Sequence, residues 1–111
     1  MDLSEQRIGR IWVVTARGRL DGVSSELFAQ HINALVTEPE PRLIVDFSDV
    51  DFVSSAGLRA VLTLVKKVKG LNGKLALCAI QAPVLEVLEI TGFSAMIDIH
   101  PERAAALAAL S

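Results

Sequence analysis

Two adjacent hydroxyls, Ser54 and Ser55, stand where an amphipathic helix is predicted to begin, followed by Ala56, Gly57 and Leu58. Serine at a helix start satisfies backbone N–H groups that have no intrahelical partner, and that use implies nothing further. The surroundings are more particular: an apolar strand, an acidic loop with Asp46, Asp49 and Asp51, then Ser-Ser-Ala-Gly-Leu opening the helix. Glycine in a first turn costs up to about 1 kcal/mol relative to alanine, so helix stability alone does not select Gly57. Small residues at Ala56 and Gly57 clear space around the hydroxyl. A phosphate added to a hydroxyl there meets free N–H groups and the positive end of the helix dipole.

Other chemistries lack their parts. His31, His100 and Cys78 are scattered, without the close spacing that a zinc site uses. His31 is read as a helix residue beside Ile32, His100 as a cap for the terminal helix, and Cys78 as a small apolar strand residue. The run Val53-Ser54-Ser55-Ala56-Gly57 lacks the first glycine of a nucleophile elbow, and neither histidine is placed as its base. Gly70 and Gly73 lack the Lys-Ser/Thr of a phosphate-binding loop. Asp46 ends an apolar strand, where receiver domains accept phosphate. That chemistry needs magnesium and further acids, and the first strand offers Arg7, Arg10 and Arg17 instead. Asp46, Asp49 and Asp51 are therefore read as turn-forming, solvated loop carboxylates.

The elements that position the serines follow from periodicity. Ile8, Ile11, Trp12, Val13 and Val14 predict one strand or a short hairpin over 7–16, and Gly18 and Gly22 bracket a loop containing Arg19, Leu20 and Asp21. Ser24 or Ser25 caps a helix with Phe28, Ile32, Leu35 and Val36 on one face, ended by Pro39 and Pro41. Arg42–Phe47 is a strand whose continuous Leu43-Ile44-Val45 run suits a sheet covered on both faces. Over 55–69, Leu58, Val61, Leu62, Leu64, Val65 and Val68 share an inward arc, while Ser55, Arg59, Thr63, Lys66 and Lys67 face outward. Gly70 closes that helix. A strand over Lys74–Ile80 follows, then a helix from Pro83 to about Thr91 with Gly92 as left-handed C-cap. A short strand near Met96–Ile99 and an Ala/Leu-rich helix from Pro101 to Leu110 complete the chain. Strands alternating with amphipathic helices imply an α/β sheet with helices packed on it.

Bulk properties bound the function. With 111 residues, 51% apolar, the chain is expected to form one domain with its own core. Eleven basic against thirteen acidic residues give a net charge of −2, which supplies no basic field for nucleic acid. One cysteine and no signal-like N-terminal segment point to a reducing cytoplasm, and no apolar run approaches the roughly 18 residues of a membrane span.

The sequence resembles the STAS domain family, specifically the small stand-alone anti-sigma factor antagonists of bacteria. The resemblance spans nearly the whole chain, and implies a single STAS domain over 1–111. It is carried by Gly18-Arg19-Leu20-Asp21, the Leu43–Phe47 strand, the Phe52–Leu58 segment and the Leu75–Ile80 strand. It implies a mostly parallel sheet of four or five strands, an antiparallel first strand at the edge and about four helices. The implied function is partner switching. The unmodified antagonist binds an anti-sigma factor that is also a serine kinase of the GHKL type, phosphorylation switches binding off, and a metal-dependent serine phosphatase restores it.

In that family the acceptor lies two residues before the glycine of a Gly-Leu pair, which here makes it Ser55. Ser54 stands where the family often has aspartate, and Ala56 where it often has a second serine, so Ser54 is a competing hydroxyl. Asp21 matches a loop aspartate beside the acceptor and is either a partner contact or a turn or cap residue. The partner surface implied comprises Asp21, Ser54, Ala56, Gly57, Leu58, Arg59, Thr63 and Lys66, with no cofactor and no metal. The alternative is a STAS regulatory or structural subunit of a membrane transporter or lipid-trafficking ATPase. An enzyme of its own is the reading with least in the sequence to support it.

Overall fold

The structure, a computed structural model, describes all 111 residues. Strands β1 (Asp2–Ile8) and β2 (Ile11–Leu20) form a hairpin turning at Gly9 and Arg10, longer at both ends than the strand or hairpin expected over 7–16. Helix α1 (Ser24–Leu35), strand β3 (Arg42–Val53), helix α2 (Ser55–Gly70), strand β4 (Lys74–Cys78) and helix α3 (Ala82–Ile90) follow. A 3₁₀ turn (Phe93–Met96), strand β5 (Asp98–His100) and helix α4 (Arg103–Leu110) end the chain.

The five strands lie in the order β1-β2-β3-β4-β5. β1 is the antiparallel edge, and the remaining pairs are parallel. Because sequential parallel strands are joined by crossovers of one hand, α1, α2 and α3 fall on the same face. There Val14, Leu43, Val45 and Phe47 pack against Phe28, Ile32, Leu58 and Val65. The opposite face is covered by α4, where Ile11, Val13, Ile44, Ala76 and Cys78 meet Ala106 and Leu110. Both faces being covered accounts for the unbroken apolar run of β3.

The inward arc of α2 is buried as expected except Leu62, which is half-buried. Pro83 lies in the first turn of α3, and Gly92 takes a left-handed φ of 80° just beyond it. Four expectations are corrected. Gly18, Arg19 and Leu20 are the last residues of β2, not a loop: the ladder to β3 shifts register twice, and Gly18 absorbs this with a φ of 107°. Asp46, Asp49 and Asp51 lie within β3, which continues to Val53 because β2 pairs with it that far. His100 is a β5 residue, not a cap for α4, and that last strand begins at Asp98 because Phe93–Met96 coils into the 3₁₀ turn.

Candidate phosphorylation and partner-binding site

The site forms where β2 and β3 end and α2 begins. The Ser54 N–H donates to the Leu20 carbonyl at 2.9 Å, tying the entry of α2 to the end of β2. A Cβ on Gly57 would collide with that carbonyl oxygen and stand 3.0 Å from Leu20 Cγ. Gly57 is thus explained by this close approach rather than by space around a hydroxyl. Leu58 is buried in the core. Gly57 and Leu58, expected on the partner surface, therefore set the position of the helix and present no side chain outward.

The two serines are inequivalent. Ser54 is the N-cap, with extended backbone, and its Oγ accepts the Gly57 N–H at 3.2 Å. Its carbonyl accepts the Leu58 N–H at 2.9 Å. Ser55 is the first helical residue and is exposed. One hydroxyl is occupied in holding the helix end; the other stands in solvent at the same corner.

Asp21 follows Leu20 and organises the start of α1. Its Oδ1 accepts the N–H groups of Val23 and Ser24, each at 3.1 Å, while its own N–H donates to Ser24 Oγ at 2.9 Å. The Ser25 N–H donates to the Asp21 carbonyl at 2.8 Å. The carboxylate is thus the cap that Ser24 or Ser25 was expected to supply. The Ser24 hydroxyl instead lies within donating distance of both the Arg19 carbonyl, at 2.6 Å, and Asp21 Oδ1, at 3.1 Å. Hydrogen bonds from Ser24, its N–H foremost, hold the Asp21 carboxyl below the usual carboxylate range.

This turn leaves Val23 81% and Leu27 54% exposed. Arg19 lies over the Phe52 ring at 4.1 Å from its centroid, on the strand ends that lead to Ser54. This apolar and cationic surface was not among the expected site residues. A signal for part of it was present: Leu27 falls off the Phe28–Ile32 face of its helix.

Along the outer side, α1 and α2 enclose a groove of about 340 Å³ bordered by Ser25, Glu26, Ala29, Ala56, Arg59 and Thr63. Arg59 and Thr63 are exposed, and so is Lys66, but Lys66 lies outside the groove. Its neighbour Lys67 does line it, and donates to Asn33 Oδ1 at 2.5 Å.

A second polar cluster lies on the α4 face. Asp46, 6% exposed, receives Arg103 Nη2 at 2.7 Å and Nε at 3.1 Å, and the Ser48 N–H at 2.8 Å. Arg103 also donates to Thr15 Oγ1 at 3.0 Å. This corrects the reading of Asp46 as a solvated loop carboxylate: it anchors α4 to the sheet. Burial pushes the adjacent Cys78 thiol up to about 11, and the Asp46 charge adds to this. Such a thiol is inert at neutral pH. His31 Nε2 is hydrogen-bonded to Glu5 at 2.8 Å, whereas His100 Nε2 stands 3.0 Å from the Asp98 carboxylate within β5, a different element from that of His31. No three His, Cys, Asp or Glu side chains are grouped to hold a metal ion. No helix is long and apolar enough to cross a membrane.

Residues 3–106 match the family model described as STAS domain. The chain belongs to the STAS domain family. Among STAS relatives, the Bordetella bronchiseptica protein named anti-sigma factor antagonist BtrV is 33% identical over 109 residues, covering 98% of this chain and 94% of its own. The STAS fold superposes on an anti-sigma factor antagonist from Mycobacterium paratuberculosis with a TM-score of 0.88 at 24% identity, covering 98% and 92% of the two chains. The anti-sigma factor antagonist SpoIIAA in its unphosphorylated form gives 0.77 at 20% identity, covering 94% and 92%. These last two similarities bear on the fold alone: a five-stranded sheet with an antiparallel edge pair, parallel elsewhere, and four helices.

Proposed function

We propose that this chain, as one STAS domain over 1–111, is a cytoplasmic anti-sigma factor antagonist that works by binding and not by catalysis. Its unphosphorylated form binds an anti-sigma factor serine kinase of the GHKL type and so releases that kinase's target. Phosphorylation of Ser55 ends the complex, and a metal-dependent serine phosphatase regenerates it. The observation that carries the reading is the division of labour at the start of α2, where Ser54 caps the helix and leaves Ser55 exposed. The name of the Bordetella relative, matched along nearly the whole chain, supports the same role.

The docking surface on this reading is the corner around Ser55. It comprises the Asp21–Val23 turn, Ala56 at the groove, and the outward residues Arg59, Thr63 and Lys66. Exposed Val23 adds apolar area, and Arg19, stacked on Phe52, adds an arginine of the kind enriched among interface anchors.

The test is affinity capture of the tagged protein from its own cell lysate, with mass spectrometry of both partners and phosphosite. Recovery of a GHKL-type kinase, with ATP-dependent phosphate on Ser55, is expected. Recovery of a membrane ATPase or permease with no modified serine would overturn the reading in favour of a transporter subunit.

A further inference from the structure

We propose that phosphate on Ser55 is captured by Arg59 of the same chain, so that modification both places a dianion on the docking corner and removes that corner's free cation. The inference rests on Ser55 being the modified residue, as proposed above. Ser55 and Arg59 lie four residues apart in α2, one turn of helix, where side chains are neighbours with Cβ atoms about 5–6 Å apart. Both are exposed, and the anion N-terminal to the cation is the favourable order for such a pair. Ala56 and Ala60, which flank them on the groove side, are too short to intervene.

Arg59 is also the cation left free there. The ion pairs made by arginine in this chain are Arg7–Glu38, Arg17–Asp49 and Arg103–Asp46, and Arg59 belongs to none of them. Arg19 is stacked on Phe52 and Lys67 is bonded to Asn33. Lys66 lies about three turns along the helix. Glu26 borders the same groove as Arg59 without pairing to it, and a phosphate dianion outcompetes that single charge. A guanidinium offers parallel N–H donors matched to phosphate oxygens, which an ammonium does not.

The test uses full-length protein carrying phosphoserine at position 55, installed during synthesis, and reads the second phosphate ionisation by phosphorus NMR titration at low salt. In the parent this midpoint is expected below the ordinary value near 6, rising by about 0.3 pH unit in Arg59→Gln and by less in Arg59→Lys. Molar salt should shrink the difference. Glu26→Gln, which removes the competing anion, should leave the parent midpoint unchanged or lower. Equal midpoints in the parent and Arg59→Gln would overturn the capture. Because the phosphate is built in, this result does not depend on any kinase choosing Ser55. If a kinase ignores Ser55, the proposed function fails while the pair remains measurable; if Arg59 leaves the midpoint unmoved, this inference alone fails.

Discussion

The carbonyl of Leu20 is the surface on which Gly57 packs, and the same oxygen accepts the Ser54 N–H at 2.9 Å. One backbone atom at the end of β2 thereby fixes both the cap and the first turn of the helix that displays Ser55. Gly57→Ala should consequently destabilise the protein although alanine is the better helix former. The propensity gain is at most about 1 kcal/mol, whereas forcing a methyl into packed backbone costs about 1–3 kcal/mol. Chemical denaturation should show a net loss, and a variant as stable as the parent would mean that α2 moves away from Leu20 freely.

That contact also marks what local pattern can convey. The order of strands and helices, the inward face of α2, Cys78 as an apolar residue and the exposed hydroxyl at Ser55 follow from periodicity, composition and the resemblance, because each depends on a few neighbouring residues. The reason for Gly57 lies 37 positions away in Leu20, and the partner of Asp46 lies 57 positions away in Arg103. Nothing near Asp46 in sequence distinguishes a buried anchor from a loop acid. Gly18 reads as a loop residue because a bulge within a strand and a turn both use positive φ. Asp21 was legible as a cap or a contact, and its hydrogen bonds to Val23 and Ser24 establish the cap.

The two serines should separate by substitution. Ser54→Ala removes the Oγ that accepts the Gly57 N–H and should cost about 0.5–2 kcal/mol, as N-cap losses do. Ser55→Ala, at an exposed position, should stay within about 0.5 kcal/mol of the parent. Phosphate transfer from the cognate kinase should show the reverse pattern, surviving Ser54→Ala and vanishing in Ser55→Ala. Phosphopeptide sequencing that found the phosphate mainly on Ser54 would reverse the assignment.

Asp46 sets an acid limit on stability. Burial alone would raise its carboxyl, but the Ser48 N–H and the Arg103 guanidinium outweigh this and hold it below the ordinary value of 3.8. A group depressed on folding stabilises the protein above its unfolded value, and that contribution is lost as pH falls through the folded value. Stability should thus be flat with respect to this group down to about pH 5 and fall below about pH 4. Asp46→Asn should flatten that part of the profile and cost about 1–3 kcal/mol at neutral pH, because Arg103 loses its carboxylate. Melts from pH 3 to 7 on both proteins would show it. An unchanged acid slope in the variant would assign that loss to other carboxylates.

On the outward side of α2, charge reversal at Arg59 should act on binding and not on folding. Arg59 is exposed and unpaired, so Arg59→Glu should shift stability by no more than about 0.5 kcal/mol. If the kinase docks beside the groove, the same change should weaken its affinity measurably and alter its salt dependence. Unchanged affinity would make Arg59, Thr63 and Lys66 a solvated face only.

Phosphate on Ser55 should end binding while leaving the fold intact. The group carries roughly −1.5 to −2 charges at neutral pH and enters at the N-terminal end of α2, where unpaired N–H groups and the dipole favour it by about 0.3–1 kcal/mol. It sits outside the core, since Ser55 is exposed and the cap is made by Ser54, so nothing in the packing must move to admit it. In a docked complex the same dianion must lose its water, and the segments entering the site bring Asp21 and Asp51. Desolvation and like charge then oppose association without opposing folding. Ser55→Ala should remain bound in the presence of ATP because it cannot be switched off. The phosphorylated protein, and less completely Ser55→Asp, should lose affinity with a melting temperature close to the parent. Calorimetric titration of each form against the kinase, with thermal melts alongside, separates the cases. Equal affinity of the phosphorylated form, or a loss explained by unfolding, would show that Ser55 is not the switch.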